Sequence, residues 1–198
     1  KFHISLSSMF AKEAVLPAIV LFFLSVCFSL INSYVYIFAS GRLTDKEYTY
    51  IGIYFAIYAG TLLFTRPFVE KLADKYGTVK VTVPSVICFA ASFWVLSFSQ
   101  TLWMFYLAAF LSAFGYGACQ PSLNALSMKM VPKERRGAGN CTNYIGIDMG
   151  QLLGPSIGGM IAGVAGYANM WRYMTVSMAC ALFVVLAFRR KLEPSGGK

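Results

Sequence analysis

Long uncharged stretches, most of whose residues are apolar, alternate along this chain with short charged segments. The third of these stretches is long enough for two membrane spans of about 20 residues each if the chain turns near residues 99–101. The pattern therefore predicts six helices that cross a membrane. The uncharged stretches are residues 14–41, 48–65, 81–128, 149–171 and 173–188.

The stretches do not alternate between apolar and polar positions, as the strands of a membrane β-barrel would. Helices are the other way to satisfy every backbone polar group in lipid. We therefore expect an all-α membrane protein with a lead-in at residues 1–13, a six-helix transmembrane domain at 14–191 and a tail at 192–198. The expected spans are residues 14–40, 48–66, 80–99, 101–128, 138–165 and 171–189.

Composition supports a membrane location, because 58% of the 198 residues are hydrophobic and only 13% are charged. An ordinary soluble domain is far less apolar. The first uncharged stretch exceeds the core of about 7 to 15 residues found in a signal peptide, so we interpret it as a retained span.

Basic residues predict the orientation. With six spans, both termini share one side with the segments 66–80 and 129–137, and all 17 Lys and Arg except Arg42, Lys46 and Arg172 fall there. The positive-inside rule makes that side cytoplasmic. The net charge of +9 is thus interpreted as a topology signal, and no nucleic-acid partner is expected.

Candidate catalytic chemistry is scarce. The single histidine, His3, lies in the amino-terminal tail, and the five cysteines are scattered without metal-ligand spacing. No zinc-protease, serine-hydrolase or nucleotide-binding motif is present. We therefore predict no enzyme activity, no cofactor and no metal site.

Polar residues inside the predicted spans recur at helical spacing on single faces. Hydrogen bonding between helices would explain any one such face, but several together favour a water-filled cavity. The third and sixth spans carry only isolated polar residues and are expected to face lipid. The candidate cavity-lining residues are Ser29, Asn32, Ser33, Tyr36, Tyr54, Tyr58, Tyr116, Gln120, Asn124, Tyr144 and Gln151.

The fifth predicted span carries two further features. Gly150, Gly154 and Gly158 recur every four residues, a row that permits close approach of a neighbouring helix. Asp148 is expected near the middle of a lipid core about 30 Å thick, where a charge is costly and functional by default. Its carboxylate either takes up and releases a proton or binds a cation, or it is held by hydrogen bonds from Tyr144, Gln151 or another helix.

Segment 66–80, RPFVEKLADKYGTVK, concentrates charge between two apolar spans. It resembles the charged loop motif of the major facilitator superfamily at Arg66, Asp74, Gly77 and Lys80, together with Pro67, Leu72 and Ala73. Glu70 stands where that family has glycine. The resemblance implies that Asp74 helps to close the cytoplasmic side, with its partner on a half that this chain lacks. Arg66 either takes part in the same closure or is an anchor that snorkels to the membrane surface.

Segment 131–167 is similar to the loop and eleventh helix of bacterial drug-efflux members of the same superfamily, including Gly154, Pro155, Gly158 and Gly159. The segment 115–126, GYGACQPSLNAL, resembles the tenth helix. The chain is therefore expected to be the carboxy-terminal half of a twelve-helix fold, built as a 3+3 inverted repeat. Its start without methionine is typical of an excised piece.

The resemblance implies half of a secondary active transporter, most simply a proton-coupled exporter of small amphipathic compounds that works by alternating access. A sugar or metabolite carrier of the same superfamily is one alternative. A non-transporting six-helix membrane subunit is another. The expected location is the bacterial inner membrane, with both termini in the cytoplasm.

The expected partners are the lipid bilayer, a small-molecule substrate, and either the missing amino-terminal half or a second copy of the chain. In this superfamily the second and fifth helices of each half contact the other half. The resemblance therefore implies an unpaired surface that contains Tyr54, Tyr58, Gly150 and Gly154.

Overall fold

The structure, a computed structural model, describes residues 10–189. His3, most of the lead-in at 1–13, the last residues of the transmembrane domain and the tail at 192–198 lie outside the described residues. Between residues 10 and 189 the chain contains helices and no strand. The helices are α1 (Val15–Ser40), α2 (Asp45–Tyr48), α3 (Ile53–Tyr76), α4 (Thr78–Phe98), α5 (Leu102–Met130), α6 (Arg136–Ala165) and α7 (Tyr167–Ala187).

The charged segment 66–80 is helical, which differs from the loop expected there. Helix α3 continues through it to Tyr76, and α4 begins at Thr78. Charge marks where a helix leaves lipid, but Glu, Lys, Leu and Ala are good helix formers in water, so nothing ends the helix at the lipid boundary. Hydropathy therefore placed the end of this span too early.

Six long helices thus lie within the described residues, and five of them are long and apolar enough to cross a membrane. Helix α6 does not reach that hydropathy although it has 30 residues. Its Asn, Gln, Asp and frequent Gly residues lower its mean hydropathy. This composition is typical of a helix that contacts protein or a polar cavity along most of its length.

The neighbours of each long helix follow an internal symmetry. Helix α1 packs against α6 and α7, while α5 packs against α3 and α4, and α4 contacts α7. Exchanging the triplet α1, α3, α4 with the triplet α5, α6, α7 reproduces these contacts. The arrangement is that expected for a 3+3 repeat.

Two glycines make the corresponding turns of the two triplets. Gly77 joins α3 to α4 with φ of 95°, and Gly166 joins α6 to α7 with φ of 80°. A residue with a Cβ is strained in this region, whereas glycine enters it freely. Each turn therefore needs only one residue between two long helices.

The glycine row of α6 packs directly on α1, as expected. A Cβ placed on Gly150 would lie 2.5 Å from the carbonyl oxygen of Phe22, and one on Gly154 would lie 2.5 Å from that of Val26. Gly146, one turn earlier, has the same relation to Ala18 at 2.5 Å. The backbones of α1 and α6 thus approach more closely than any side chain would permit.

The unpaired surface does not contain the residues expected on it. Tyr54 and Tyr58 are buried against α5 and α1, and Gly150 and Gly154 are buried against α1. Helix α3 nevertheless belongs to the most open of the five apolar spans. Only 17% of its apolar 18-residue stretch is buried, against 67% for the span that contains α1. Its exposed face consists of other residues, among them Leu63, Phe64 and Phe68.

The third and sixth predicted spans correspond to α4 and α7. Each presents large apolar side chains outward, including Trp94 and Phe98 on α4 and Val176 and Phe183 on α7. Their inner faces pack on each other and on an aromatic core around Trp171. Such outward apolar faces suit contact with lipid acyl chains.

Replacing Gly150 by alanine should lower the free energy of unfolding by about 1–3 kcal/mol, because the new Cβ collides with backbone rather than with a movable side chain. Gly163→Ala in the same helix is the matched control, since nothing lies within 4 Å of its added Cβ. The control should be neutral or stabilising by up to about 1 kcal/mol. Thermal unfolding in detergent, followed by circular dichroism, measures both. Equal melting temperatures for the two variants would contradict the close packing.

Candidate functional site

A polar face on α1 and α6 is open to solvent. Asn32, Ser33 and Tyr36 of α1 are exposed, and so are Tyr144 and Gln151 of α6. On α6 these side chains lie opposite the glycine row, because the row is turned inward against α1. Part of the expected cavity lining is therefore left uncovered by the helices within residues 10–189.

Asp148 belongs to the same open face of α6, between Tyr144 and Gln151. Because α6 begins at Arg136, its carboxylate lies about 18 Å along a helix about 45 Å long, which is still near the middle. Within residues 10–189, Asp148 forms neither a hydrogen bond nor an ion pair. Neither Tyr144 nor Gln151 donates to it in the described part of the chain, and a carboxylate held by a helix outside that part stays a prediction.

Three other candidate residues lie inside the bundle. The hydroxyl of Tyr54 lies 3.5 Å from Ser112 Oγ, and that of Tyr116 lies 3.4 Å from Ser25 Oγ. Tyr58 is equally buried, but its hydroxyl has no hydrogen-bond partner. These tyrosines join α3 and α5 to α1 rather than lining open water.

A ring from α1 covers two of these tyrosines. The ring of Phe28 stacks on Tyr116 with centroids 4.3 Å apart and planes 3° apart. Its centroid is 5.8 Å from that of Tyr58. Ser29, the next residue of α1, is buried, donates its hydroxyl to Val26 O and contacts Gly154. The rings of Phe28, Tyr58 and Tyr116 thus pack together inside the bundle.

The sequence did not reveal a hydrogen-bonded group near the carboxy-terminal end of α5 and the amino-terminal end of α6. Asn143 is fully buried, donates Nδ2–H to Asn124 Oδ1 at 3.0 Å and accepts from Ser127 Oγ at 3.0 Å. Asn124 therefore has a structural partner, while Gln120, one turn away, is half-buried. The available signal was position, because Asn143 falls on the same helical face as the glycine row and must point inward with it.

Helix α6 also receives a hydrogen bond near its proline. The hydroxyl of Tyr34 on α1 donates to the carbonyl oxygen of Pro155 at 2.7 Å. A proline lacks the N–H that would pair with the preceding turn. Added Cβ atoms on Gly158 and Gly159 would each meet the ring or hydroxyl of Tyr34. Tyr34 thus joins α1 to the segment of α6 that contains Pro155, Gly158 and Gly159.

The charged residues at the carboxy-terminal end of α3 include an ion pair that differs from the expected one. Lys129 Nζ on α5 donates to Asp74 Oδ1 at 2.8 Å, and their side chains are 63% and 71% exposed. Within residues 10–189 Asp74 thus pairs with Lys129, and the partner that the resemblance implies on the other half stays a prediction. Asp74 was judged from α3 alone, whereas packing brings the end of α5 beside it.

A cavity of about 150 Å³ lies beside this ion pair. Arg66 and Lys80, two further charged residues of the segment, are exposed. Gly77 provides the turn that separates α3 from α4. The residues lining the cavity are Glu70, Ala73, Asp74, Thr78, Pro121, Ser122, Ala125 and Lys129.

Arg172 is anchored between the carboxy-terminal end of α4 and the amino-terminal end of α7. Its Nε donates to Ser97 Oγ at 2.7 Å, and its guanidinium carbon lies 4.5 Å from the ring centroid of Phe98. Asn169 Oδ1 accepts a third contact at 3.4 Å. A cation held by hydrogen bonds and an aromatic face can sit at the membrane boundary without an acidic partner.

Within residues 10–189, no group of three or more His, Cys, Asp or Glu side chains is placed to hold a metal ion. The cysteines in this range are free thiols, and Cys27 and Cys119 are buried. The polar groups described at the site are the exposed side chains of α1 and α6, the buried tyrosines and the carboxylates of Asp74 and Asp148.

Comparisons with known proteins agree with this architecture. Residues 18–198 match the family model of the Major Facilitator Superfamily. The chain is 26% identical over 150 residues to a class H tetracycline resistance protein of Pasteurella multocida, covering 73% of this chain and 36% of that protein. It is 30% identical over 152 residues to the multidrug resistance protein MdtG of Enterobacter lignolyticus, covering 74% and 35%.

A homologue of the multi-drug resistance efflux pump PmrA in Lactococcus lactis is 26% identical over 176 residues, which are 87% of this chain and 43% of that protein. The chain thus matches less than half the length of these relatives. Among solved structures, a peptide transporter POT in complex with sulfate matches 94% of this chain and 40% of its own, with a TM-score of 0.79 at 20% identity. The chain is a multi-pass membrane protein that belongs to the major facilitator superfamily.

Proposed function

We propose that this chain is the carboxy-terminal half of a proton-coupled exporter of small amphipathic compounds that works by alternating access. The names of its relatives support export, since they are resistance and efflux proteins. The observation that supports proton coupling is the position of Asp148. Its carboxylate lies on the open face of α6, near the middle of the helix, and has no partner among the described residues.

The open polar face fits a transport pathway. A polar surface on membrane helices is costly unless it meets protein or water. Asn32 and Tyr36 on α1, with Tyr144, Asp148 and Gln151 on α6, would face a central cavity once a second six-helix unit covers the bundle. Substrate would then pass between the two units, and movement of one against the other would expose the cavity to each side in turn.

The second six-helix unit is the amino-terminal half of the same transporter or a second copy of this chain. The chain matches 35% to 43% of its relatives, a share close to one half. We place the protein in the bacterial inner membrane with both termini in the cytoplasm, on the basis of the basic residues at those ends. In that orientation the Asp74–Lys129 pair lies on the cytoplasmic side.

Asp148→Asn in the full-length protein should abolish pH-driven efflux while preserving folding and substrate exchange, because asparagine has nearly the same shape but cannot carry a proton. Asp45→Asn makes the same change at an exposed carboxylate of α2, outside the open polar face, and is a control that should retain pH-driven efflux. Proteoliposomes with an imposed pH gradient measure efflux, and equilibrium exchange is measured without one. Full pH-driven efflux by Asp148→Asn would exclude its coupling role.

Asp74→Asn should slow transport several-fold and leave substrate affinity within a few-fold, since a residue that closes the cytoplasmic side acts on a conformational equilibrium. Its exposed ion pair should contribute less than about 1 kcal/mol to stability, so the variant should melt normally. Lys129→Gln removes the same pair from α5 and should give the same phenotype. Cytoplasmic thiol labelling reports the opening, and unchanged labelling in both variants would count against the gate.

The chain expressed by itself should self-associate through the open faces of α3 and α6. Single cysteines at Leu63 and Leu152, both strongly exposed, should crosslink between copies in detergent, in a background without native cysteines. A cysteine at Phe183 on α7 is the control, since its side chain is 71% exposed but belongs to the helix expected to face lipid. Crosslinks formed only at position 183, or a strictly monomeric chain, would refute this assembly.

A further inference from the structure

The cavity of about 150 Å³ beside the ion pair holds two carboxylates and one ammonium group. Glu70 and Asp74 line it from α3 at a spacing of four residues, which places both on the same helical face. Lys129 lines it from α5 and donates to Asp74. Within residues 10–189, Glu70 forms neither a hydrogen bond nor an ion pair. The cavity thus contains one paired and one unpaired carboxylate.

A buried hydroxyl group at the same cavity has no hydrogen-bond partner. Ser122 of α5 lines the cavity and is only 2% exposed, and its Oγ is unsatisfied among the described residues. Other buried serines of α4 and α5 differ, because Ser85, Ser92 and Ser112 each donate to a carbonyl oxygen of the preceding turn. A buried polar group without a partner is costly and is rarely kept without a reason. Ser122 therefore indicates a polar occupant of the cavity.

The charges around the cavity favour a cation as that occupant. Two carboxylates are opposed by one ammonium group, which leaves one negative charge, and the excess rises to two when Lys129 points elsewhere. Both side chains of the Asp74–Lys129 pair are exposed. Exposed ion pairs contribute little stability, so Lys129 can turn away from Asp74 at small cost. A dication that enters then neutralises both carboxylates.

The small number of oxygen ligands favours a hydrated magnesium ion. Ca²⁺ takes about six to eight oxygen ligands, whereas Mg²⁺ usually keeps several of its waters and binds through one or two carboxylates. Here α3 supplies two carboxylates and α5 supplies the hydroxyl of Ser122. The cavity has room for about five water molecules at about 30 Å³ each. A dication that keeps part of its water shell matches this set of groups.

Glu70 makes this site a feature of the present sequence. The charged motif that segment 66–80 resembles has glycine at this position. A glycine there would leave Asp74 as the single carboxylate among the residues that line the cavity. No metal-binding motif in the sequence reveals the site, because its hydroxyl group comes from a different helix. The second carboxylate and the buried hydroxyl therefore distinguish this cavity from an ordinary ion pair.

We propose that Glu70, Asp74 and Ser122 form a binding site for a hydrated magnesium ion, and that this ion competes with Lys129 for Asp74. The two carboxylates hold the ion, and the Ser122 hydroxyl forms a hydrogen bond with one of its waters. In the orientation proposed above, the site opens to the cytoplasm. Cation binding here goes beyond the proposed transport function and requires neither substrate nor protons.

Binding is measured with Mn²⁺, which accepts the same octahedral oxygen coordination and gives a paramagnetic resonance signal when free in water. The purified full-length protein in detergent should reduce this signal, and added Mg²⁺ should restore it. Glu70→Gln should weaken Mn²⁺ binding about tenfold or more, because a neutral amide replaces a carboxylate that holds the ion. Glu134→Gln is the matched control, since Glu134 is exposed in the segment between α5 and α6 and does not line the cavity. It should change the affinity by less than about twofold, because salt screens exposed charges.

Two further variants test the other groups of the site. Lys129→Gln removes the competing ammonium group and should tighten Mn²⁺ binding about threefold or more. Ser122→Ala should weaken binding about twofold to fivefold, because one hydrogen bond is lost. Thermal melting without divalent ions confirms that each variant is folded. Ser122→Ala should melt there like the wild type, since its hydroxyl has no partner to lose among the described residues.

The proposal fails if the wild type does not bind Mn²⁺, if Mg²⁺ does not displace it, or if Lys129→Gln does not tighten binding. Equal weakening by Glu70→Gln and Glu134→Gln would show only diffuse attraction to surface charge and would also refute the site. Asp148 is a second candidate cation ligand, so Asp148→Asn is titrated as well. Loss of binding in that variant, with full binding in Glu70→Gln, would place the ion on the open polar face instead. Efflux is not measured in these titrations, so failure of the magnesium site leaves the proposed transport function standing.

Discussion

Helix α6 lies so close to α1 that backbone atoms of the two helices meet at Gly146, Gly150 and Gly154. In lipid there is no hydrophobic force that drives one apolar helix onto another, so association depends on close packing and dispersion. A smooth glycine surface maximises both. This contact also sets the rotation of α6, because the glycine face must point inward. The opposite face, with Tyr144, Asp148 and Gln151, is then necessarily the open one.

Polar residues in this bundle have two different roles. Asn143, Asn124 and Ser127 satisfy one another inside the protein, and Tyr54 and Tyr116 pair with buried serines. These hydrogen bonds hold helices together in a medium that offers no water. The exposed side chains of Asn32, Ser33, Tyr144 and Gln151 form no hydrogen bond between helices within residues 10–189.

The weakest attachment in the bundle is that of α3. Only 17% of its apolar 18-residue stretch is buried. At its carboxy-terminal end, both side chains of the Asp74–Lys129 ion pair are exposed. Exposed ion pairs contribute little stability, so the pair can break and re-form at small cost. An element with few buried contacts is one that can move.

Much of the architecture could be predicted from residue order. Apolar runs gave the number of long helices, and the spacing of Gly150, Gly154 and Gly158 gave the close helix contact. Helix ends were less accessible, as the continuation of α3 to Tyr76 shows, because hydropathy reports where lipid ends and not where backbone hydrogen bonding ends.

Tertiary structure decided which polar faces are open. Periodicity shows that Tyr54 and Tyr58 share a face, but it does not show what that face meets, and here it meets α5 and α1. The partner of Asp74 was hidden for the same reason, since Lys129 is distant in sequence. The sequence by itself determined the helices and their faces, whereas the choice of neighbour for each face depends on how all the helices pack together.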